Sequence, residues 1–327
     1  MISFCTLFDS AYLSRGLVLY DSLKKYSPDF HLYIFAFDDL CYNILVSLSL
    51  ENATIISLKM LENNDLLEAK KSRTKAEYCW TCTSSAIDYV LTNYNVPACT
   101  YIDADLCFFN SPSVLCEELN DEKSVLITEH RYSKIAGLYE KRRAGRFCVQ
   151  FITFVDNPES RMVLSDWKNK CIKWCYNRYE DGKFGDQKYL DEWPGKYKNI
   201  QIMRHLGGGV APWNVGQYKI FMEDNSLYGI EKATKRKFDL IFFHFHFVRF
   251  HEEGHVDLGW NYISQSIKEI IYYPYILKIV ETEKLLSKLN PEYRTSFHKN
   301  NPENLKDIFK SFFKSVSKYN IVKIPNI

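Results

Sequence analysis

Short apolar runs alternate with longer amphipathic segments along the first 110 residues, a pattern typical of strands and helices in a mostly parallel sheet. In the amphipathic segments, apolar side chains recur every three or four positions, as Leu13, Leu17 and Tyr20 do. We therefore predict strands at 2–8, 31–37, 54–58 and 98–102, and helices at 11–26, 40–50 and 77–94.

After residue 110 the order of elements becomes mixed. Strands are predicted at 124–128, 148–155 and 240–250 and a helix at 161–174, so the central sheet should contain parallel and antiparallel members. From residue 263 the pattern is helical. The last predicted helix, 305–319, alternates apolar residues with Lys, and it could be a lid packed on the main domain or an amphipathic helix on an anionic membrane. We predict one α/β domain over 1–262 and a helical C-terminal extension over 263–327.

Composition narrows the class of protein. The 327 residues are 46% hydrophobic and 25% charged, as in globular proteins, and a net charge of +2 is too small to attract nucleic acid. We find no stretch apolar enough for a spanning helix and no secretory signal. The expectation is a cytoplasmic protein, at most peripheral at the inner face of the membrane, whose ten cysteines are mostly free thiols.

Two carboxylates one residue apart, Asp103 and Asp105, interrupt an otherwise apolar segment at the end of the predicted 98–102 strand. Buried like charges raise each other's pKa unless a cation neutralises them, and a hard divalent ion with oxygen ligands does so. Such an ion could also take two phosphate oxygens and stabilise the charge on a departing nucleoside diphosphate. We predict that this pair holds Mn²⁺ or Mg²⁺.

The position of this Asp-x-Asp sequence, at the end of a buried strand about 100 residues into an α/β region, resembles that in the GT-A glycosyltransferases. Within that superfamily the chain is similar to glycosyltransferase family 8 and to related bacterial surface-glycan transferases. The resemblance covers roughly the first 260 residues and implies a Rossmann-like mixed sheet flanked by helices. It also implies that Asp103, Ala104 and Asp105 bind the donor's diphosphate together with its metal.

The resemblance implies a nucleotide-binding role for two more segments. Residues 4–13 match a first strand and loop that lie beside the base and ribose of the donor in the family, which assigns that role to Phe8, Asp9 and Tyr12. Related enzymes place a basic group near the nucleotide just before the helix that leads to the Asp-x-Asp strand. Either Arg73 or Lys75 could serve here, or both could be solvated surface charges.

Period-two alternation over 240–247 places His244 and His246 on one face of a strand and the phenylalanines on the other, and that face could ligate metal. Family 8 enzymes complete the metal site with a His-Phe-x-Gly segment, which residues 244–247 match best. Phe247 stands where the family has Gly, and the usual Lys-Pro-Trp is missing. The choice between the two histidines therefore stays open, and we expect Arg249 to replace the missing cation near the diphosphate.

Candidate catalytic residues come from two further segments. Asp186 and Gln187 resemble the Asp-Gln pair that opens a helix near the acceptor in family 8. Asp186 could equally be only a helix N-cap. Gln150 falls where family members carry a polar residue that contacts the donor sugar.

Residues 205–214 are a candidate substrate-binding segment. Gly208, within a run of three glycines, permits close approach of the backbone to a ligand, and Trp213 beside Asn214 offers a face on which a sugar can stack. A tight structural turn is the competing explanation.

Two other motifs do not indicate function. Residues 251–255 match the zinc-protease pattern His-Glu-x-x-His, but a strand precedes them and Gly254 favours a turn, whereas the motif needs a helix. Residues 79–82 match Cys-x-x-Cys inside a predicted helix, without the strand that precedes redox motifs. Buried thiols explain the second motif better.

We predict a metal-dependent glycosyltransferase that moves a sugar from a nucleoside-diphosphate donor, first of all a UDP-sugar, to a hydroxyl of a glycan or lipid-linked glycan in polysaccharide biosynthesis. The family likeness implies retention of configuration, whereas an inverting enzyme would need a general base, for which Asp186 is the first candidate. One rival is a sugar nucleotidyltransferase, which should carry a Gly-rich basic loop where residues 9–12 read Asp-Ser-Ala-Tyr. Another is a non-catalytic nucleotide- or glycan-binding scaffold of the same fold.

Overall fold

A seven-stranded mixed sheet forms the centre of the fold. A computed structural model describes residues 1–133, 137–251, 254–295, 297, 317 and 319–324. The strands of the described residues, in this sheet and in smaller ones, are β1 (Ile2–Phe8), β2 (Phe30–Ala36), β3 (Ala53–Ser57), β4 (Ala98–Ile102), β5 (Leu106–Phe108), β6 (Val125–Glu129), β7 (Phe147–Val155), β8 (Ile200–Ile202), β9 (Tyr218–Glu223), β10 (Ser226–Glu231), β11 (Lys237–Asp239), β12 (Phe242–His244), β13 (Arg249–His251), β14 (His255–Asp257) and β15 (Ile321–Lys323).

Helices cover both faces of this sheet. They are α1 (Leu13–Tyr26), α2 (Asp39–Leu48), α3 (Leu58–Leu61), α4 (Asn64–Lys70), α5 (Lys75–Asn93), α6 (Ser113–Cys116), α7 (Gly137–Arg143), α8 (Pro158–Lys173), α9 (Trp193–Lys196), α10 (Gln265–Ile267) and α11 (Tyr273–Leu289). Short 3-10 turns lie at Ser10–Tyr12, Gln187–Glu192 and Val215–Gln217, and a π-helical turn, Lys268–Tyr272, joins α10 to α11.

The sheet has the order β3-β2-β1-β4-β7-β6-β8. The first four of these strands are mutually parallel, and β7 runs antiparallel to both β4 and β6. The predicted mixed sheet flanked by helices is therefore confirmed. Because β2 and β3 extend the sheet on one side of β1 while β4 lies on the other, the order reverses between β1 and β4. Open α/β sheets bind ligands at the carboxyl end of such a switch point.

Alternate residues of β1 explain why both faces of the sheet need cover. Phe4 and Phe8 belong to a buried cluster with α1 and α2, whereas Cys5 and Leu7 belong to a second cluster with α5 and α8. Side chains alternate between the two faces of a strand, so a strand apolar at nearly every position must be buried on both. Strand β1 is thereby fixed at the centre of the sheet.

In the C-terminal region, α10, the π-helical turn and α11 follow one another as far as Leu289. Tyr272, Tyr275 and Ile276 join a third buried cluster that also contains Phe243 and Phe245. Strand β15 then pairs with β14, which the sequence did not predict. The predicted helix at 305–319 lies outside the described residues apart from 317 and 319, and the domain boundary at residue 262 stays a prediction. No helix in the described ranges is long and apolar enough to cross a membrane.

The predicted strand at 240–250 is wrong over 245–248. Its first part, β12, pairs with β5, and the Phe245 N–H still donates to the Asp105 carbonyl oxygen at 2.9 Å. The chain then turns: Val248 N–H donates to the Phe245 carbonyl oxygen at 3.3 Å, and Phe247 takes a φ of 70° in the left-handed region. Strand β13 starts only after this turn, so one apolar run forms two strands. The other predicted strands and helices through residue 174 agree with the structure to within three residues.

Candidate active site

Asp103, Asp105 and His244 converge at the carboxyl end of β4. Asp103 directly follows β4, and the turn through Asp105 leads into β5, whose pairing with β12 puts His244 opposite Leu106. His244 Nε2 lies 3.1 Å from Asp105 Oδ1 and 3.7 Å from Asp103 Oδ2. The His244 side chain is 5% exposed, against 13% for Asp105 and 29% for Asp103. Charged groups are therefore crowded together with little water to screen them.

The pKa values of these groups reflect that crowding. Burial raises the pKa of Asp103 to about 6, opposed by His244 and reinforced by the charge of Asp105. Burial also acts on Asp105, but the charge and hydrogen bond of His244 outweigh it and lower the pKa to about 2. For His244, burial disfavours the charged ring, yet the two aspartates raise its pKa well above the ordinary value. In the metal-free protein His244 therefore carries a proton between the two carboxylates.

His246 adds a second imidazole beside this group. The ligating atoms of Asp105, His244 and His246 all lie within 4.8 Å of one another. Burial and the charge of His244 lower the pKa of His246 to about 4, so its ring is neutral at neutral pH. Trp213 packs edge-on against both rings, with centroids 5.3 Å from His244 and 5.7 Å from His246. We call Asp103, Asp105, His244 and His246 the metal end of the site.

This donor set fits a divalent cation. Carboxylate oxygens suit Mg²⁺ and Mn²⁺, and imidazole nitrogen suits first-row transition ions. The 3.1 Å between His244 Nε2 and Asp105 Oδ1 is close to the separation of neighbouring ligand atoms around one such ion. His244 Nδ1 lies 2.5 Å from Gln150 Oε1, so the outer nitrogen has a hydrogen-bond partner, as is usual for a metal-ligating histidine.

Asp9, Asp38 and Lys75 form a second cluster, the nucleotide end, where β1, β2 and the start of α5 meet. Lys75 Nζ lies 2.5 Å from Asp9 Oδ2 and 3.9 Å from Asp38 Oδ2. Asp38 accepts hydrogen bonds from the Ser10 N–H and hydroxyl and caps α2 through the Cys41 N–H. A capping box between Thr74 and Glu77 starts α5 at Lys75. Each of the three side chains thus has a partner within the protein, and the Lys75 side chain is also 62% exposed.

Three other residues predicted at the nucleotide differ in setting. Tyr12 is 43% exposed, and the Arg15 guanidinium lies 4.6 Å from its ring centroid. Phe8 is buried under α1, where a side chain at Gly16 would meet its ring. Arg73 stacks on Tyr176 at 3.7 Å and donates to the Ile172 carbonyl oxygen at 3.4 Å, so it belongs to the contact with α8.

Ala104 and Arg249 flank the metal end. Ala104 is buried in the cluster that includes α1 and α2. The Arg249 guanidinium lies 3.8 Å from the Phe247 ring centroid, on the strand that follows the histidines. Its charge contributes to the lowered pKa of His246, which places a cation near the metal end.

Asp186 and Gln187 follow α8 at the start of the 3-10 turn Gln187–Glu192, and the charge of Asp103 acts on Asp186. Asp186 is buried, and burial together with the charge of Asp103 raises its pKa to about 8. Asp186 stands at the N-cap position of the 3-10 turn that follows, but its side chain makes no cap hydrogen bond there. Gln187 Nε2 donates to the Ala144 carbonyl oxygen at 2.9 Å.

The glycine-rich segment forms a tight turn. Asn214 is buried and its amide group makes hydrogen bonds of 2.8–2.9 Å to the backbone of His130, Gly209 and Ala211. Gly209 has a φ of 84°, which favours glycine. These contacts explain the turn structurally, while Trp213 stays half-buried beside the metal end and donates its N–H to the His130 carbonyl oxygen at 2.9 Å.

Sequence reasoning missed three residues that hold these loops. Arg15 on α1 donates to the Val248 carbonyl oxygen at 2.9 Å, tying the histidine-bearing loop to the first helix. Arg131 donates to the carbonyl oxygens of Leu206, at 3.0 Å, and Gly208. The buried ring of His130 stacks on Tyr132 with centroids 4.5 Å apart. For Arg15, the presence of a charged residue among the apolar positions of α1 was a signal that could have been used. The sequence offers no such signal for Arg131 or His130.

The two motifs that do not indicate function lie on a strand pair and on α5, respectively. His251 and His255 face each other across antiparallel strands β13 and β14, so the zinc-protease pattern does not lie on a helix. All ten cysteines carry free thiols.

Comparison with other proteins gives relatives of unknown function. No protein-family model matches the chain. The uncharacterized protein YfnD of Bacillus subtilis (strain 168) is 28% identical over 300 residues, covering 90% of this chain and 94% of YfnD. The uncharacterized protein YfnF of the same organism is 28% identical over 307 residues, covering 89% and 96%.

The chain is also similar to solved structures of glycosyltransferases, the class that the sequence resembles. LgtC, a galactosyltransferase solved with donor and acceptor sugar analogs, is 13% identical over 74% of this chain and 86% of its own, with a TM-score of 0.48. Mouse xyloside xylosyltransferase 1 is 12% identical over 74% of this chain and 97% of its own, with a TM-score of 0.45. GlyE of Streptococcus pneumoniae TIGR4 is 14% identical over 66% of this chain and 48% of its own, with a TM-score of 0.44. The chain therefore spans about half of GlyE. The narrower likeness to family 8 stays a prediction.

Proposed function

We propose that this protein is a metal-dependent glycosyltransferase that moves a sugar from a nucleoside-diphosphate donor to a glycan hydroxyl. The observation that carries the proposal is the meeting of Asp103, Asp105 and His244, within 3.1–3.7 Å, at the switch point of the sheet. A lone Asp-x-Asp pair is common on protein surfaces. Two carboxylates held against a buried imidazole at the ligand-binding edge of an α/β sheet are a much more specific arrangement.

Asp103, Asp105 and His244 would hold Mn²⁺ or Mg²⁺, with His246 as a further ligand. When bound, the cation neutralises the carboxylates and stabilises negative charge on the departing diphosphate. The chain itself supplies additional positive charge nearby through Arg249 and Arg15, both of which interact electrostatically with the metal end. These groups suit a ligand that carries two phosphates.

The nucleotide end would receive the base and ribose of the donor, first of all those of UDP. Asp9 and Asp38 present fixed acceptor oxygens, and Lys75 is held between them. Carboxylate acceptors are suited to ribose hydroxyls, as in dinucleotide-binding folds. The exposed Tyr12 ring, braced by Arg15, offers a face on which a base can stack.

The acceptor would bind beside Trp213, whose half-buried ring borders the metal end. We propose retention of configuration, as the likeness to family 8 implies; an inverting mechanism would instead need a general base beside the acceptor. The pKa of Asp186, the first candidate base, is raised to about 8 by burial, so its carboxyl group keeps its proton. That protonation state does not suit an inverting mechanism in which Asp186 removes the acceptor's proton.

Calorimetric titration with UDP, with and without Mn²⁺, tests the proposal. The unmodified chain should bind UDP in a Mn²⁺-dependent manner, and the double variant Asp103→Asn/Asp105→Asn should not. Slow hydrolysis of a UDP-sugar with Mn²⁺ would then separate an enzyme from a non-catalytic scaffold. If neither UDP nor GDP, ADP or CMP binds, the donor-site assignment is wrong.

A further inference from the structure

We propose that Gln150 is a positioning residue for the metal end. It holds two arms of that end in register: Asp103, through the Gln150 backbone, and His244, through the Gln150 side chain. The inference rests on the proposed metal-dependent function and assigns Gln150 a role other than contact with the donor sugar. Gln150 lies on β7 and is fully buried. A fully buried amide is poorly placed to contact a sugar, but it is well placed to brace the groups around it.

The first arm is Asp103. Strands β4 and β7 pair as far as Ile102 opposite Phe151. The next hydrogen bond runs from the Asp103 N–H to the Gln150 carbonyl oxygen at 3.1 Å. The hydrogen bonding between β4 and β7 thus continues one residue past the end of β4, to Asp103. Gln150 therefore fixes where the backbone of Asp103 leaves the sheet.

The second arm is His244. Its Nδ1 lies 2.5 Å from Gln150 Oε1. An amide oxygen carries no proton, so Nδ1 must be the donor of this bond. Nδ1 therefore keeps its proton, and Nε2 faces the oxygens of Asp105 and Asp103 at 3.1 and 3.7 Å. When a cation replaces the proton that Nε2 holds between the carboxylates, Gln150 keeps the remaining proton on Nδ1, so Nε2 is the nitrogen that can ligate the cation.

Glutamine meets this requirement without adding charge. A carboxylate at position 150 would also accept the Nδ1 proton, but it would be a third negative charge beside Asp103 and Asp105. Among the described residues, Gln150 Nε2 has no hydrogen-bond partner, so the oxygen is the end of the amide that is used. Space for the amide depends on Gly209, since a Cβ there would lie 3.1 Å from Gln150 Nε2 and 2.7 Å from Thr128 Cγ2.

The test compares Gln150→Leu with Gln150→Glu. Leucine removes the acceptor, so the Mn²⁺ dissociation constant should rise by about 10- to 100-fold, the usual cost of losing a partner of a metal-ligating histidine. Saturating Mn²⁺ should restore most of kcat. Glutamate keeps an acceptor oxygen, so it should retain Mn²⁺ affinity, while its added charge should weaken UDP binding. Mn²⁺ affinity is read by calorimetry and by electron paramagnetic resonance of free Mn²⁺, without any need for turnover.

Thr153→Val is the matched control. Thr153 is buried on the same strand, and its hydroxyl bonds to that of Thr100 at 2.9 Å, away from His244. This variant loses a buried hydrogen bond but should bind Mn²⁺ like the unmodified chain. Thermal unfolding without metal checks that all three variants are folded.

The outcomes separate this inference from the proposed function. If the unmodified chain binds no Mn²⁺, the metal assignment fails and the role of Gln150 fails with it. If the unmodified chain binds Mn²⁺ and Gln150→Leu binds it equally well, only the positioning role is overturned. An equal loss in Thr153→Val would also overturn it, because the cause would then be a general loosening of β7.

Discussion

The two ends of the candidate site differ in how their charges are balanced. At the nucleotide end, Lys75 lies 2.5 Å from Asp9, and Asp38 accepts hydrogen bonds from Ser10 and from the start of α2. At the metal end, Asp103 has a pKa raised to about 6, and His246 has a pKa lowered to about 4. Polar groups of the first end are satisfied within the protein. Those of the second end need either a proton or a cation.

That difference teaches what each end contributes. A cluster whose groups are already paired is rigid before the ligand arrives and recognises shape and hydrogen bonding. A cluster of buried carboxylates is destabilising alone and gains from binding a cation. Metal affinity and nucleotide affinity should therefore respond to different substitutions and to pH in different ways.

Removal of His244 should have the largest effect. His244→Ala takes away the imidazole between the two carboxylates, so Mn²⁺ affinity should fall by more than about 100-fold, since loss of an outer partner alone can cost that much. Calorimetry with Mn²⁺ measures it. His31→Ala is the control, because His31 lies at the opposite part of the sheet, bonded to the Thr54 hydroxyl at 2.8 Å. Similar affinities in both variants would contradict the metal site.

Substitution of Lys75 should affect the nucleotide end alone. Lys75→Met should weaken UDP binding at saturating Mn²⁺ by about 10-fold or more, because a hydrogen bond to a charged group is worth about 1.5–3 kcal/mol. Mn²⁺ affinity should not change. Arg73→Met is matched in charge, yet Arg73 contacts Tyr176 and the end of α8, so it should bind UDP normally. An equal effect of the two changes would mean that the basic group near the nucleotide has not been identified.

Acidification should weaken the metal end progressively. In the metal-free protein the pKa of Asp103 is raised to about 6 and that of His244 lies well above its ordinary value, so both groups bind protons that Mn²⁺ must displace. Mn²⁺ affinity should therefore rise as the pH rises through about 6 and continue to rise above it. Titrations in buffers of different ionisation enthalpy count the protons released. Affinity that does not change with pH would show that these groups are not the ligands.

The smallest effect is expected beside the nucleotide end. Thr74 caps α5, accepting from the Glu77 N–H at 3.3 Å. Thr74→Ala should lower the free energy of unfolding by about 1 kcal/mol, the typical cost of an N-cap. Chemical denaturation measures this loss, and Thr74→Ser should restore most of it. A large loss of UDP affinity in the alanine variant would instead mean that the cap sets the position of Lys75.

Much of the architecture could be predicted because it follows from local patterns. Strand β1 and helix α1 are recognisable from apolar spacing alone, and Asp103 and Asp105 stand out because they follow a strand that must be buried. The strand predicted at 240–250 shows the limit. Its apolar run says nothing about the turn at Phe247, which forms where Phe245 bonds to Asp105 and the pairing with β5 ends.

The sequence by itself determined the chemical types available to the site: the Asp pair after β4, two histidines two residues apart, and basic residues ahead of α5. Tertiary structure decided which of them meet. Pairing of β5 with β12 brings His244 to Asp105 across 139 positions of sequence, and β7 brings Gln150 to both arms. Periodicity reports only the burial of a residue relative to its neighbours in the chain. Contacts between distant strands depend on register, which is set when the whole sheet forms.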